Sequence, residues 1–192
     1  MSITEFVAAV KNKNGFARSN QFSVYIPTAR DSNTMNASGI NIMCESVSLP
    51  GAQILTAEYS SIRNSTKYPI GKMYEDVELT FALTSDYYAR KFFDEWIASI
   101  INTREDNYTL NYRRNFSRDV TISQLNNRNS AIYSHVLINA YPITIQNISL
   151  GSSNEDEISR FSVTLTYDKY LVLEETNTIE RNIDNIRPSF IG

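Results

Sequence analysis

One cysteine, one histidine, one tryptophan and six glycines among 192 residues leave little material for most kinds of catalytic centre. Cys44 has no second cysteine to pair with, so no intrachain disulfide forms and a reducing compartment suits the chain. It reads as a small core hydrophobe rather than a reactive thiol. Cys44 and His135 are too few Cys/His ligands for a zinc site. His135 lies between Ser134 and Val136 in an alternating stretch, where a structural role is expected. Neither G-x-x-x-x-G-K-[ST] nor G-x-G-x-x-G occurs, so no glycine loop cradles a phosphate. The sequence contains no run of about 18 apolar residues to cross a membrane as a helix. Met1-Ser2-Ile3-Thr4-Glu5 has neither the charged nor the apolar region of a secretory signal. The net charge of −3 provides no basic face for dedicated nucleic-acid binding.

The charged clusters that do occur are weak as sites. Glu155-Asp156-Glu157 follows Gly151-Ser152-Ser153-Asn154, but the carboxylates do not have the regular spacing of a calcium loop. Arg113, Arg114 and Arg118 surround Asn115-Phe116-Ser117, a basic loop more suited to salt bridges with protein than to phosphate contacts. No catalytic residue, metal site or cofactor is expected.

The periodicity is mostly that of strands. A short amphipathic helix is predicted over 3–10 from Ile3, Phe6, Val7 and Val10, ended by Gly15. A strand follows from Phe22 and stops at Pro27. Residues 28–39 read as an exposed loop. Candidate strands 40–48 and 53–62 flank Pro50-Gly51, a pair suited to a turn, which predicts a hairpin there. Residues 63–73 read as a long excursion between strands. Over 76–84, Val77, Leu79, Phe81 and Leu83 alternate with polar residues as in a half-buried strand. Over 86–101, Phe92, Phe93, Trp96, Ile97 and Ile100 form one apolar helical stripe, with Ser85 or Asp86 as the cap. Further strands are predicted at 107–113, 118–125, 132–139, 142–150 and 160–173. The fold class is therefore mainly β: two packed antiparallel sheets, as a β-sandwich or partly open barrel, with one flanking α-helix and a short N-terminal helix. Phe81, Phe92, Trp96 and Phe161 are the expected core anchors joining helix to sheet.

Several phrases, in order, carry a resemblance. They are Phe16-Ala17-Arg18-Ser19-Asn20-Gln21-Phe22, Cys44-Glu45-Ser46-Val47-Ser48-Leu49-Pro50-Gly51, Tyr68-Pro69-Ile70-Gly71, Glu75-Asp76-Val77-Glu78-Leu79-Thr80-Phe81 and Phe92-Phe93-Asp94-Glu95-Trp96-Ile97. Together they resemble the tail tube proteins of contractile-tailed bacteriophages, related to injection-system tube proteins. The likeness covers about residues 3–173 and implies a tail-tube-like β domain over 1–173, followed by a C-terminal extension over 174–192.

The resemblance implies a structural protein of the virion tail, assembled in the bacterial host cytoplasm and not inserted in a membrane. It implies hexameric rings stacked head-to-tail inside a contractile sheath. The implied partners are further copies of the chain, the tail sheath protein, the baseplate tube initiator, a tape measure protein in the lumen and phage DNA in passage. If four strands per subunit line the lumen, twenty-four strands about 4.8 Å apart and tilted about 40° close a barrel with a backbone diameter of nearly 50 Å. The channel wall is expected to be polar and net negative, with Glu45, Glu58 and Asp119 as lumen-facing candidates. A baseplate tube initiator, the tube of an injection particle and a carbohydrate-binding β-sandwich using tyrosine platforms are the alternative readings.

Overall fold

A computed structural model describes residues 2–12, 15–27, 38–60, 65–102, 109–148, 150–151 and 158–174. Most of the expected loop at 28–39, the acidic loop at 155–157 and the extension beyond 174 lie outside the described residues.

The chain opens with helix α1 (Ile3–Asn12), strand β1 (Phe22–Tyr25) and a single helical turn, α2 (Ser38–Ile42). Strands β2 (Cys44–Val47), β3 (Ala52–Ser60), β4 (Ser65–Tyr74) and β5 (Val77–Ala82) follow. The main helix, α3 (Tyr88–Ile100), leads into the short pair β6 (Ile101–Asn102) and β7 (Thr109–Leu110). After the turn α4 (Arg113–Phe116) come β8 (Arg118–Leu125), β9 (Ala131–Ile145), β10 (Arg160–Thr166) and β11 (Lys169–Glu174).

The principal sheet is antiparallel, with strand order β1-β8-β9-β10-β5-β2 and β11 beside β9. It bends into two layers at β9. The first half of β9 pairs with β8 and β11, and the second half pairs with β10. Val24, Ile122 and Leu137 from one layer share a single core with Leu79, Phe81, Phe161 and Val163 from the other. The result is a mainly β sandwich that is not closed into a barrel.

The corner is held by polar contacts. Asn139 has φ +55, a left-handed conformation that asparagine tolerates. Its backbone N–H donates to Asp119 Oδ1 at 2.9 Å, and its side chain donates to Asp168 Oδ2 at 2.8 Å. Asp168 also takes the Arg113 guanidinium. Pro142, which cannot donate to a ladder, sits where β9 has β10 as its partner, so the strand runs on through it. Two predicted strands, 132–139 and 142–150, are therefore one. Conversely, the predicted strand 160–173 breaks at Tyr167-Asp168, where the chain turns the same corner.

Helix α3 closes the sandwich. Phe92, Phe93 and Trp96 are buried on the predicted stripe. The Phe93 ring centroid lies 5.0 Å from Phe81 and 6.1 Å from Phe161. Trp96 Nε1 donates to the Phe116 carbonyl at 2.7 Å, satisfying the indole in an apolar site. Phe81, Phe92, Trp96 and Phe161 all lie in this cluster. Asp86 accepts the Tyr88 backbone N–H at the helix start.

The hairpin expected around Pro50-Gly51 does not form. β2 pairs with β5, and β3 pairs with β4. Residues 44–60 instead run as one long antiparallel partner of 65–82, kinked at Ser48–Gly51 and at Glu75-Asp76. Ser48 N–H to Glu78 O (3.0 Å) and Glu75 N–H to Gly51 O (3.2 Å) bridge the kink. The Glu75 carboxylate lies over Gly51, where a side chain would displace it. The proline-glycine pair thus bends a strand rather than reversing it. Residues 63–73 are not an excursion, since most of them form β4. Residues 40–48 begin as a helical turn because Ile40 buries itself completely in the core. Among the described residues of 107–113, only β7 is strand.

Candidate assembly surface

Among the described residues, no group of three His, Cys, Asp or Glu could hold a metal ion. Burial pushes the Cys44 thiol up to about 12, so it is protonated and unreactive at neutral pH. His135 faces the core between the Tyr133 and Tyr170 rings, at 4.8 and 5.0 Å, and its Nδ1 has no hydrogen-bond partner. Among the described residues, a cleft of about 560 Å³ between Phe16-Ala17-Arg18 and Asn126-Asn127-Arg128 is lined by no carboxylate, thiol or imidazole. No described helix is long and apolar enough to cross a membrane.

The three arginines of the expected basic loop are not a joint surface. Arg113 pairs with Asp168, and Arg114 lies over Tyr112. Arg118 lies over Phe92 and Trp96 and donates to the Pro27 carbonyl at 3.1 Å.

Two outward sheet faces differ in chemistry. On the β2-β5-β10-β9 layer, cross-strand register aligns Ser46, Thr80 and Ser162 in one row and Glu78, Thr164 and Thr144 in the next. Thr80 and Ser162 share a hydrogen bond at 3.1 Å, and Gln146 donates to Glu78 at 3.3 Å. On the other layer, Tyr25, Thr121, Val136 and Leu171 align, with Tyr25 and Leu171 exposed.

The sequence candidates Glu45, Glu58 and Asp119 are all exposed, but they occupy three separate places. Glu45 sits on β2 and forms an ion pair with Arg160. Glu58 faces Lys67 across the β3–β4 pair and accepts from the Ser65 hydroxyl. Asp119 belongs to the corner described above.

These strands form the frame that the family comparison recognises. A family model described as phage tail tube protein matches residues 17–173. The chain belongs to the phage tail tube protein family. Membership of this family supports a structural role in a tail tube. A comparison with curated protein sequences finds no match. Among solved structures, the fold is similar to that of a protein in the anti-feeding prophage baseplate. The identity is 14% and the TM-score 0.62, covering 83% of this chain and 96% of that one. It is also similar to a protein in the extended sheath–tube complex of the PVC extracellular contractile injection system. There the identity is 18% and the TM-score 0.60, covering 91% and 99%. A third likeness, to a chain of the anti-feeding prophage tube-terminating cap, has 20% identity and a TM-score of 0.59, covering 83% and 91%.

Sequence reading placed a strand at 53–62, where β3 lies, but missed β4 and with it the β3–β4 arm. Every residue of β3 is exposed, and β4 is exposed up to Met73. Leu55, Ala57 and Tyr59 recur at spacing two, as do Tyr68 and Ile70. That double alternation was the available signal, and the turn-like Pro69 and Gly71 obscured it.

Proposed function

We propose that the chain is the repeating subunit of a phage tail tube, assembling as hexameric rings stacked around a channel for DNA delivery inside a contractile sheath. The observation that carries this reading is the four-stranded layer β2-β5-β10-β9, with its polar outward face and open edges. Among the described residues, β2 has only β5 as a strand partner, and the second half of β9 has only β10. Open edges are an aggregation hazard unless another strand covers them. Six such layers joined edge to edge give the twenty-four strands of a closed barrel.

The outward face then becomes the channel wall. Serine and threonine hydroxyls, the Glu78 carboxylate and the neutralised Glu45–Arg160 pair present no free cation to a passing polyanion. DNA binding needs basic contacts and counterion release, so such a wall does not hold it. A ring of net-negative subunits adds a repulsive field. Glu58, on the arm, and Asp119, on the other layer, are further lumen candidates, with Asp119 weakened by its service to Asn139. The proposed domain organisation is a tail-tube-like β domain over 1–173 and a C-terminal extension over 174–192. The sheath, the tube initiator and a tape measure protein are the proposed partners.

Analytical ultracentrifugation tests the assembly. A species of six subunits, or larger stacks, is expected as concentration rises. A monomer at every concentration, with no tubes released from disrupted virions, contradicts the reading.

A further inference from the structure

Two elements of the chain expose their apolar sides; the Phe6 ring of helix α1 meets the ring of Phe16, itself exposed, at 6.2 Å. Helix α1 has a specified start: Ser2 N–H donates to Glu5 Oε2 at 2.9 Å, and Glu5 N–H donates to Ser2 Oγ at 3.2 Å. This reciprocal capping box encodes a helix end. Yet α1 buries no residue, and Ile3, Phe6 and Val7 are 85%, 52% and 43% exposed. A helix of this length is marginal in water without tertiary packing.

The β3–β4 arm has the same character. Its register puts Gln53 with Met73, Leu55 with Gly71, Ala57 with Tyr68 and Tyr59 with Thr66 on one side. That side carries no charge. Glu58, Lys67 and Lys72 all lie in pairs of the opposite side. Leu55, Tyr59, Tyr68 and Met73 are 40–68% exposed. A two-stranded hairpin alone is marginally stable at best, and an exposed apolar patch marks a protein contact.

We propose that α1 of one copy docks its Ile3-Phe6-Val7 face on the uncharged side of the β3–β4 arm of a second copy. Both surfaces are apolar, and neither sets a charge against the other. The sizes agree: ten helical residues span about 15 Å, and the nine residues of β3 span about 30 Å, so the helix seats within the arm. Each chain owns one of each surface, so one heterologous contact covers both in every copy except those at the ends. A contact of this kind makes a ring if it closes and an open stack if it does not. The inference rests on the tube reading and specifies which elements join its subunits.

The test uses Phe6→Asp, Tyr68→Asp and the double variant in the full chain, with circular dichroism to compare folding. Each single variant should stop short of wild-type assembly. A mixture of the two single variants should form a species about twice the size of either alone, because one intact contact remains. The double variant should gain nothing on mixing with itself. As a second route, Phe6→Cys with Tyr68→Cys in a Cys44→Ser background should give a ladder of multimers with a short bis-maleimide. Wild-type-like assembly by Phe6→Asp, or a mixture no larger than its components, overturns the docking while leaving the tube intact. Cross-linking confined to monomers overturns it too. A wild-type chain that never assembles overturns both.

Discussion

The Arg118 guanidinium lies 4.2 Å from the centroid of the Trp96 ring, so a buried aromatic of helix α3 is covered by a cation from β8. Burial lowers Arg118 to about 10, which still leaves it charged at neutral pH. The pair locks the helix to the first layer, while Phe93 locks it to the second.

Trp96→Ala should therefore cost about 3–5 kcal/mol, the range for emptying a large aromatic site. Arg118→Ala should cost about 2 kcal/mol through the lost ring contact and the orphaned Pro27 carbonyl. Arg118→Met, which keeps the apolar stem, should recover part of that. Urea unfolding followed by tryptophan fluorescence measures all but the first, and circular dichroism measures Trp96→Ala.

His135 gives a pH dependence. Desolvation holds its imidazole below the ordinary 6.5. Between the lowered folded value and 6.5, the unfolded chain binds more protons than the folded one, so stability rises with pH across that window. Stability is fully present above about pH 6.5 and is lost as pH falls through the folded value. His135→Phe, which keeps a ring between Tyr133 and Tyr170, should flatten this part of the profile. Denaturant midpoints at a series of pH values check it. An unchanged slope in the variant assigns the acid sensitivity elsewhere.

The charge of the channel is open to reversal. Glu45→Lys with Glu58→Lys should leave rings intact yet slow DNA ejection, more so at low salt where the field is less screened. Glu45→Lys also sets two cations together by repelling Arg160, so Arg160→Glu in addition should restore that local pair without restoring the wall charge lost at Glu58. Normal ejection with failed assembly would place both carboxylates in a subunit interface.

The parts of the fold that were legible in sequence are those where one face is buried and the other wet. Val77, Leu79 and Phe81 alternate with Glu78 and Thr80, and the helical stripe of Phe92, Phe93 and Trp96 admits no other period. The misread parts are those where local turn chemistry is overruled by distant partners. Pro50-Gly51 reads as a reversal from its neighbours alone, but the ladder from Ser48 to Glu78 carries the strand through it. The sequence divides 132–139 from 142–150, but Pro142 costs little where β9 pairs with β10, so the two are one strand. The pairing of β4 with β3 was hidden for the opposite reason: among the described residues the apolar side of the arm is exposed, so nothing in the single-domain logic of core and surface accounts for it. Of the lumen candidates, composition could supply the acidic residues but not their faces. Only cross-strand register shows that Glu78, Thr80, Ser162 and Thr164 share a polar side, with Glu45 at its margin.

Cryo-electron microscopy of assembled tubes tests the central claim most directly, by showing symmetry and channel wall together. The expected result is six-fold rings around a barrel with a backbone diameter of nearly 50 Å. Strands β2, β5, β10 and the second half of β9 should line it, with Glu78 and Thr164 facing the lumen. A ring of another symmetry, or a lumen lined by the Tyr25-Thr121-Val136-Leu171 face, would contradict it.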